Sequence, residues 1–345
     1  MNLKALLLWS EQEFTHLPWR KNRSLYRTLV SEIMLQQTTV GTVMNHFERF
    51  LVRFPTLESL AQASEEELIV AWKGLGYYRR ARNLKKIAEA LVNNHGGEFP
   101  HDLEALQEIS GIGPYTANAL IGIGMNKRAL AVDANLERVI ARLFGLKTKK
   151  GPKLQKEIQN LFIQKSIFNE KVSFQGLNEA LMDLGRTFCQ ARKASCELCT
   201  LKKSCKAFEL GTPLKFPFRS ENEAKKSEHE LHLLRVIVKK KEKLLVYQKA
   251  QNEWLSGQFE VPTFILKTSD EKLSQYPIIK TEIPQEFVTS FKTSITKYKI
   301  SNHVLILSEK AFSQMGFKVE TQWRSIHEAS SNFSTATLKA LAKIN

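Results

Sequence analysis

All four cysteines of this chain fall within seventeen residues, CQARKASCELCTLKKSC, at Cys189, Cys196, Cys199 and Cys205. The spacing is C-x6-C-x2-C-x5-C, and no other segment carries a thiol. A disulfide framework fits neither the size of the chain nor a reducing compartment. A zinc ribbon needs two CxxC-type pairs well apart in sequence, and only Cys196 and Cys199 form such a pair. Four thiolates in one compact loop suit a single [4Fe–4S] cluster, which takes four sulfur ligands. Four inert buried cysteines, or a zinc ion, stay open as other readings. Arg192, Lys193, Lys202, Lys203 and Lys206 surround the sulfurs, so a group tying down this loop would also fix cations toward phosphates.

The wider charge balance points the same way. Fifty-one Lys and Arg against 35 Asp and Glu give +16 with His neutral, a field that attracts polyanions. No apolar run approaches membrane-spanning length. MNLKALLLWSEQEF meets charge within a few residues and reads as an amphipathic helix, not a signal peptide. A cytoplasmic, nucleoid-associated protein is expected.

Two grammars follow one another along 345 residues, long enough for two cores. Residues 1–210 read as helices joined by short loops. Ser24 caps a segment with apolar positions at Leu25, Leu29, Ile33 and Met34, and the spacing recurs at Leu84, Ile87, Ala88 and Leu91 and at Leu136, Val139, Ile140 and Leu143. Residues 211–230, with two prolines and dense charge, read as a linker. From 231 to 345 come β-rich stretches, LHLLRVIV, KLLVY, FEVPTFIL and HVLIL, and a helix at Ser334–Lys343. The expected fold is mainly α first, then a separate α+β domain. No internal repeat is visible.

Three places in the helical half carry chemistry. In LQEISGIGPYTANAL (106–120), Gly111 and Gly113 stand between two helical patterns and Pro114 opens the second. The glycines leave backbone N–H groups at a helix N-terminus, the helix-hairpin-helix arrangement that grips DNA backbone without reading bases. In ALAVDANLERVIARLFG, Asp133 precedes a helix, where it is either a simple N-cap or a carboxylate aimed at a sugar. In SEIMLQQTTV, Glu32 sits on a helix among apolar residues. An apolar pocket would raise its pKa and make it a proton donor near neutrality. Two carboxylates in unlike environments are what glycosidic cleavage requires.

With LPWR (17–20), WKGLGYYRRARNL (72–84), SGIGPYTA, VDANLERV, FQGLNEALMDLG (174–185) and the cysteine loop, these motifs resemble the adenine DNA glycosylases of the MutY type, within the endonuclease III superfamily. The resemblance covers 1–210 closely and the remainder loosely. It implies a helix-hairpin-helix domain, an iron–sulfur cluster domain and a Nudix-like C-terminal domain, in a monomer of base-excision repair. The implied reaction removes adenine opposite 8-oxoguanine or guanine in duplex DNA. Glu32 would protonate adenine N7 and later assist water. Asp133 would stabilise the sugar cation through an intermediate at C1′, with Asn135 and Tyr115 in support. Bifunctional relatives carry lysine at the hairpin position of Tyr115, so tyrosine implies a glycosylase without lyase activity. Gln37 and Tyr77 would enter the base stack beside the flipped adenine, and Trp19, Arg20, Leu35 and Glu179 would line its pocket.

The chain departs from the pattern at three points. Ala134 replaces a glycine after Asp133, and Ser110 stands where proline is common in the hairpin. The Phe-Ser-His type of loop that reads 8-oxoguanine is matched best by Ile295-Thr296-Lys297, so Thr296 and Lys297 become the candidate lesion contacts, with His303 as an alternative or a cross-strand residue. No Gly-x5-Glu-x7-Arg-Glu box occurs, and pyrophosphatase activity is not expected. A glycosylase/lyase for oxidised pyrimidines and a non-catalytic binder of DNA structures remain the competing readings.

Overall fold

The computed structural model describes residues 1–164, 168, 172–218, 228–279, 286–327 and 332–344. It divides into two compact units, Met1–Ala63 with Arg79–Glu223, and Ser64–Tyr78 with Ala224–Asn345. Of the expected linker, 219–227 lie outside the described residues.

Local signals account for most of the helices, α1 (Leu3–Phe14), α2 (Leu25–Leu35), α3 (Val40–Arg53), α4 (Leu57–Ala61), α5 (Glu65–Trp72), α6 (Arg79–His95), α7 (Leu103–Glu108), α8 (Pro114–Ala119), α9 (Ala134–Phe144), α10 (Pro152–Gln164), α11 (Phe174–Arg186) and α12 (Lys206–Glu209). The Ser24 hydroxyl accepts from Arg27 N, and Asp133 accepts from Leu136 N, each meeting a donor the first turn leaves open. Gly145 closes α9 in the left-handed conformation at φ +65°. Between α8 and Asp133 the chain widens into a π-helical turn, Leu120–Gly124. In the first unit a core of Leu6, Val139, Ile140, Ile158, Leu177 and Leu181 joins α1, α9, α10 and α11. Helices α9 and α11 cross where Gly185 faces Asn135. A Cβ on Gly185 would come 2.6 Å from Asn135 Cβ, so only glycine permits this approach.

The second unit holds α5 and all the named strands. β1 (His229–Ile237) is followed by β2 (Lys239–Lys240), β3 (Lys243–Gln248), β4 (Phe259–Glu260), β5 (Thr263–Thr268), β6 (Thr289–Ile295), β7 (Tyr298–Ile306) and β8 (Gln322–Ser325). One mixed sheet has the order β5-β1-β7-β6, with β1 and β7 parallel. In the other, β3 pairs antiparallel with β2, β4 and β8. Helices α13 (Glu309–Ser313) and α14 (Thr335–Ala342) complete the unit. Ala340 and Leu341 of α14 pack into a core with Ile237, Leu244, Val261 and Phe291. FEVPTFIL breaks into β4 and β5 at Val261–Pro262, since proline has no N–H to give a ladder.

Ser64–Tyr78, part of the helical run 1–210 in sequence, clusters with the second unit. Within that unit Gln258 Nε2 donates to Tyr78 Oη, and Arg324 lies 3.8 Å from Glu66. His303 takes the cross-strand role, its ring 5.6 Å from His232 at 9° and hydrogen-bonded to Ser290 Oγ at 2.9 Å. No described helix is long and apolar enough to cross a membrane.

Candidate active site

Helices and turns of the first unit line a cavity of about 1100 Å³. From α2 come Ser31, Glu32 and Leu35, and from α8 comes Tyr115. Asp133 and Asn135 enter at the start of α9, and Glu179, Met182, Asp183 and Arg186 lie on one face of α11 at helical spacing. The 3₁₀ turn Pro18–Arg20 adds Trp19 and Arg20, and the turn after α2 adds Gln37. That turn is held from beneath. Arg80 Nη1 donates to the carbonyls of Ile33 and Met34 at 2.9 Å each, and also to Gln36 O, while Nη2 meets Thr38 Oγ1 at 2.9 Å. These carbonyls are ones the helix end leaves unpaired. Gln37 itself sits at φ +56°.

Glu32 is buried, and burial pushes its pKa from 4.5 up to about 7. The nearby carboxylates of Asp133 and Glu179 add to the rise, while the Tyr115 hydroxyl, donating to Glu32 Oε2 at 2.5 Å, works against it. Burial likewise raises the Tyr115 hydroxyl well above its ordinary value. Asp133 is raised by burial too, but several partners oppose this. Leu136 N donates to Oδ1 at 2.7 Å, Asn135 Nδ2 donates to Oδ2 at 2.8 Å, and the Arg138 charge lies close by. Burial thus holds both carboxyls toward the neutral form, and only Asp133 has a backbone N–H, an amide and a guanidinium set against that rise.

A chain of hydrogen bonds runs from Asp133 to the cysteine loop. Asn135 Oδ1 accepts from Arg138 Nη2 at 2.8 Å, and Arg138 donates onward to Gly185 O at 2.7 Å and Cys189 O at 2.8 Å. Buried Arg142 donates to Cys189 Sγ at 3.2 Å, and Cys205 Sγ faces Arg142 O at 3.4 Å. All four cysteines are free and half-buried, with Cys189, Cys199 and Cys205 packed on the helical core. Burial first, and the neighbouring sulfurs after it, push the Cys199 thiol up to about 11. No three His, Cys, Asp or Glu side chains among the described residues meet in a site for one metal ion.

The cavity therefore gathers Glu32, Asp133, Tyr115, Asn135, Trp19, Arg20, Leu35, Gln37 and Glu179 from the sequence reading. Tyr77, Thr296 and Lys297 are not in its lining and belong to the second unit. Tyr77 is half exposed at φ +48°. Lys297 Nζ reaches Asp270 Oδ2 at 3.3 Å and His229 Nε2 at 3.2 Å, and Thr296 sits at φ +50° in the β6–β7 turn. Gly111 lies in the hairpin between α7 and α8 at φ +102°, its carbonyl accepting from Asn83 Nδ2 at 2.9 Å. A Cβ there would strike the Asn83 amide, and Gly113 is the N-cap of α8. Sequence reasoning missed Asp183, Ser10 and Arg138. Asp183 Oδ2 accepts from Arg20 Nη2 at 2.8 Å and from Ser10 Oγ at 2.5 Å.

A helical body carrying a glycine hairpin beside a cavity lined by two carboxyls defines the helix-hairpin-helix class. The profile of the "HhH-GPD superfamily base excision DNA repair protein" matches residues 30–164. An adenine DNA glycosylase of Buchnera aphidicola subsp. Schizaphis graminum is 30% identical over 246 residues, 71% of this chain and 67% of that protein. Another, from Buchnera aphidicola subsp. Acyrthosiphon pisum, is 34% identical over 190 residues, 55% of this chain and 53% of that one. The chain thus spans about half to two thirds of the length of these relatives. The solved structure of a thermostable thymine-DNA glycosylase is similar at 28% identity and a TM-score of 0.52, over 60% of this chain and 95% of that one. The chain belongs to the adenine DNA glycosylase family of the HhH-GPD superfamily.

Proposed function

We propose that this chain is a monofunctional DNA glycosylase that hydrolyses adenine from duplex DNA opposite 8-oxoguanine or guanine. The observation that carries the reading is the pairing of Glu32, raised to about 7, with donor-supplied Asp133 across one cavity. Protonated Glu32 gives its proton to adenine N7, because adenine leaves poorly as an anion. As the C1′–N9 bond breaks, its electrons stay with the protonated base. Asp133 Oδ then bonds to the cationic C1′, oriented by Asn135 and Leu136 N. Glu32, now ionised, takes a proton from water as that oxygen attacks C1′, and the Asp133 carboxylate departs. Tyr115 holds Glu32 in place throughout. The lining includes no lysine among the described residues, so no Schiff base with the sugar is expected.

The four thiols form a donor set that suits a [4Fe–4S] cluster better than one ion. Such a cluster takes one sulfur at each of four irons, so its ligands need not converge on a point. Cys189, Cys196, Cys199 and Cys205 would hold it, and when bound it would brace Arg192, Lys193 and Lys203 toward the DNA backbone. Gly111 and Gly113 serve the same backbone from the hairpin. The second unit is read as Nudix-like, with Thr296 and Lys297 at the lesion-reading turn.

A single-turnover assay tests this on duplexes with adenine opposite 8-oxoguanine, guanine and thymine, each with and without hot alkali. Strand cleavage of the first two only after alkali is the expected result. Strand breaks without alkali would favour a lyase, and no adenine release from cluster-loaded protein would leave a DNA binder.

A further inference from the structure

Arg23 stands outside the cavity and forks onto a residue that lines it. Its Nη1 donates to Glu179 Oε1 at 2.6 Å and its Nη2 to Oε2 at 3.0 Å. Charges then alternate along the wall. Glu179 Oε2 lies 3.5 Å from Arg20 Nε, Arg20 Nη2 is 2.8 Å from Asp183, and Asp183 is 3.0 Å from Arg186 Nε. Glu179 and Asp183 both line the cavity, and Glu179 is the one that Arg23 grips through both oxygens. A carboxylate offers about four lone-pair sites and a bidentate guanidinium fills two, so two remain for a ligand. The planar fork also fixes the plane of the carboxylate, which a point charge would leave free to turn. Arg20 touches one oxygen from one side and cannot impose that orientation alone.

We propose that Arg23 is a positioning residue for base specificity, one that aims Glu179 so that the pocket demands a hydrogen-bond donor on the base it accepts. The exocyclic amine of adenine supplies that donor, and an unsubstituted purine does not. A site built to pair a polar group discriminates strongly against the analogue that lacks it, because its own buried group is then left unpaired. The proposal rests on the reading of this cavity as an adenine pocket. It adds a residue from behind the wall, since Arg23 is absent from the lining.

The test compares kcat/KM for release of adenine and of unsubstituted purine, each opposite 8-oxoguanine, with the cluster-loaded full chain. Wild type, Arg23→Gln, Arg23→Lys and Glu179→Gln are measured in parallel. The adenine-to-purine ratio is expected to fall ~10-fold in Arg23→Gln, the loss of one well-placed charged hydrogen bond. Glu179→Gln should lower it at least as far, and Arg23→Lys, which keeps the charge but not the fork, should fall between. Equal losses on both bases in Arg23→Gln would make Arg23 a merely structural residue and overturn the proposal. An unaltered ratio in Glu179→Gln overturns it as well, because Arg23 would then have nothing to aim. Wild-type protein that releases neither base fails the parent reading instead, an outcome distinct from both.

Discussion

Glu32 should impose a pH-dependent cost on the fold and a pH limit on the reaction, and one substitution separates the two. Burial lifts its pKa from 4.5 to about 7. The folded chain therefore binds this proton more tightly than the unfolded chain does. The resulting stability is fully present below 4.5 and is lost as pH rises through 7. At ~1.4 kcal/mol per pH unit between the two values, the ionised side chain costs ~3 kcal/mol at pH 8.5, against less than ~1 kcal/mol at pH 5. Glu32→Gln keeps the shape and cannot ionise. It should melt higher than wild type at pH 8.5 by roughly 4–8 °C, with most of that gain absent at pH 5. The same variant should not release adenine, since an amide has no proton of the required acidity. Wild-type release should decline on the alkaline side with a midpoint near 7, where the acid loses its proton. A melting gain independent of pH, or a wild-type rate flat across that midpoint, would refute the burial argument.

Tyr115→Phe removes the hydroxyl that holds the Glu32 pKa down, so the alkaline limb of the single-turnover profile should move to higher pH. Arg138→Gln cuts the bonds to Asn135, Gly185 and Cys189. It should slow the proposed adenine release ~10-fold and, if the four thiols hold a cluster as proposed, shorten the lifetime of its visible absorbance, with loss of charged hydrogen bonds as the common cause. Gly185→Ala forces a Cβ against Asn135 and should cost ~1–3 kcal/mol, read as a lower urea midpoint. Glu260→Gln leaves buried Arg235, 2.7 Å away, without its anion and buried Lys249 with Glu253 alone at 3.4 Å. Thermal melting should show a loss of ~3–5 kcal/mol in the second unit, as when one partner of a buried ion pair is removed.

What the sequence disclosed depended on how far each cause lies from its effect. Ser24 and Asp133, as helix caps, act within three residues of themselves, so a short window contains the whole argument. The β6 strand TSFKTSI gives no clear strand pattern because it is polar and buries only Phe291 fully. It lies at the sheet edge, where little apolar pattern is demanded. The segment Ser64–Tyr78 begins with a capping box at Ser64 and Glu67, which declares a helix but not the body it joins. Asp183 lay beyond reach for a different reason. The face of α11 that carries it is readable, yet its partner Arg20 is 163 residues away, and only packing brings the two faces together. Glu32 and Asp133 fall between these cases. Their residue types and positions, and the Asn135 amide and Arg138 charge that follow Asp133 on α9, are local facts, but the burial that raises both carboxyls and the Tyr115 hydroxyl that α8 brings to Glu32 are not. A sequence can thus nominate two candidate carboxyls, while the burial that shifts them toward the neutral form comes from the cavity the helices build.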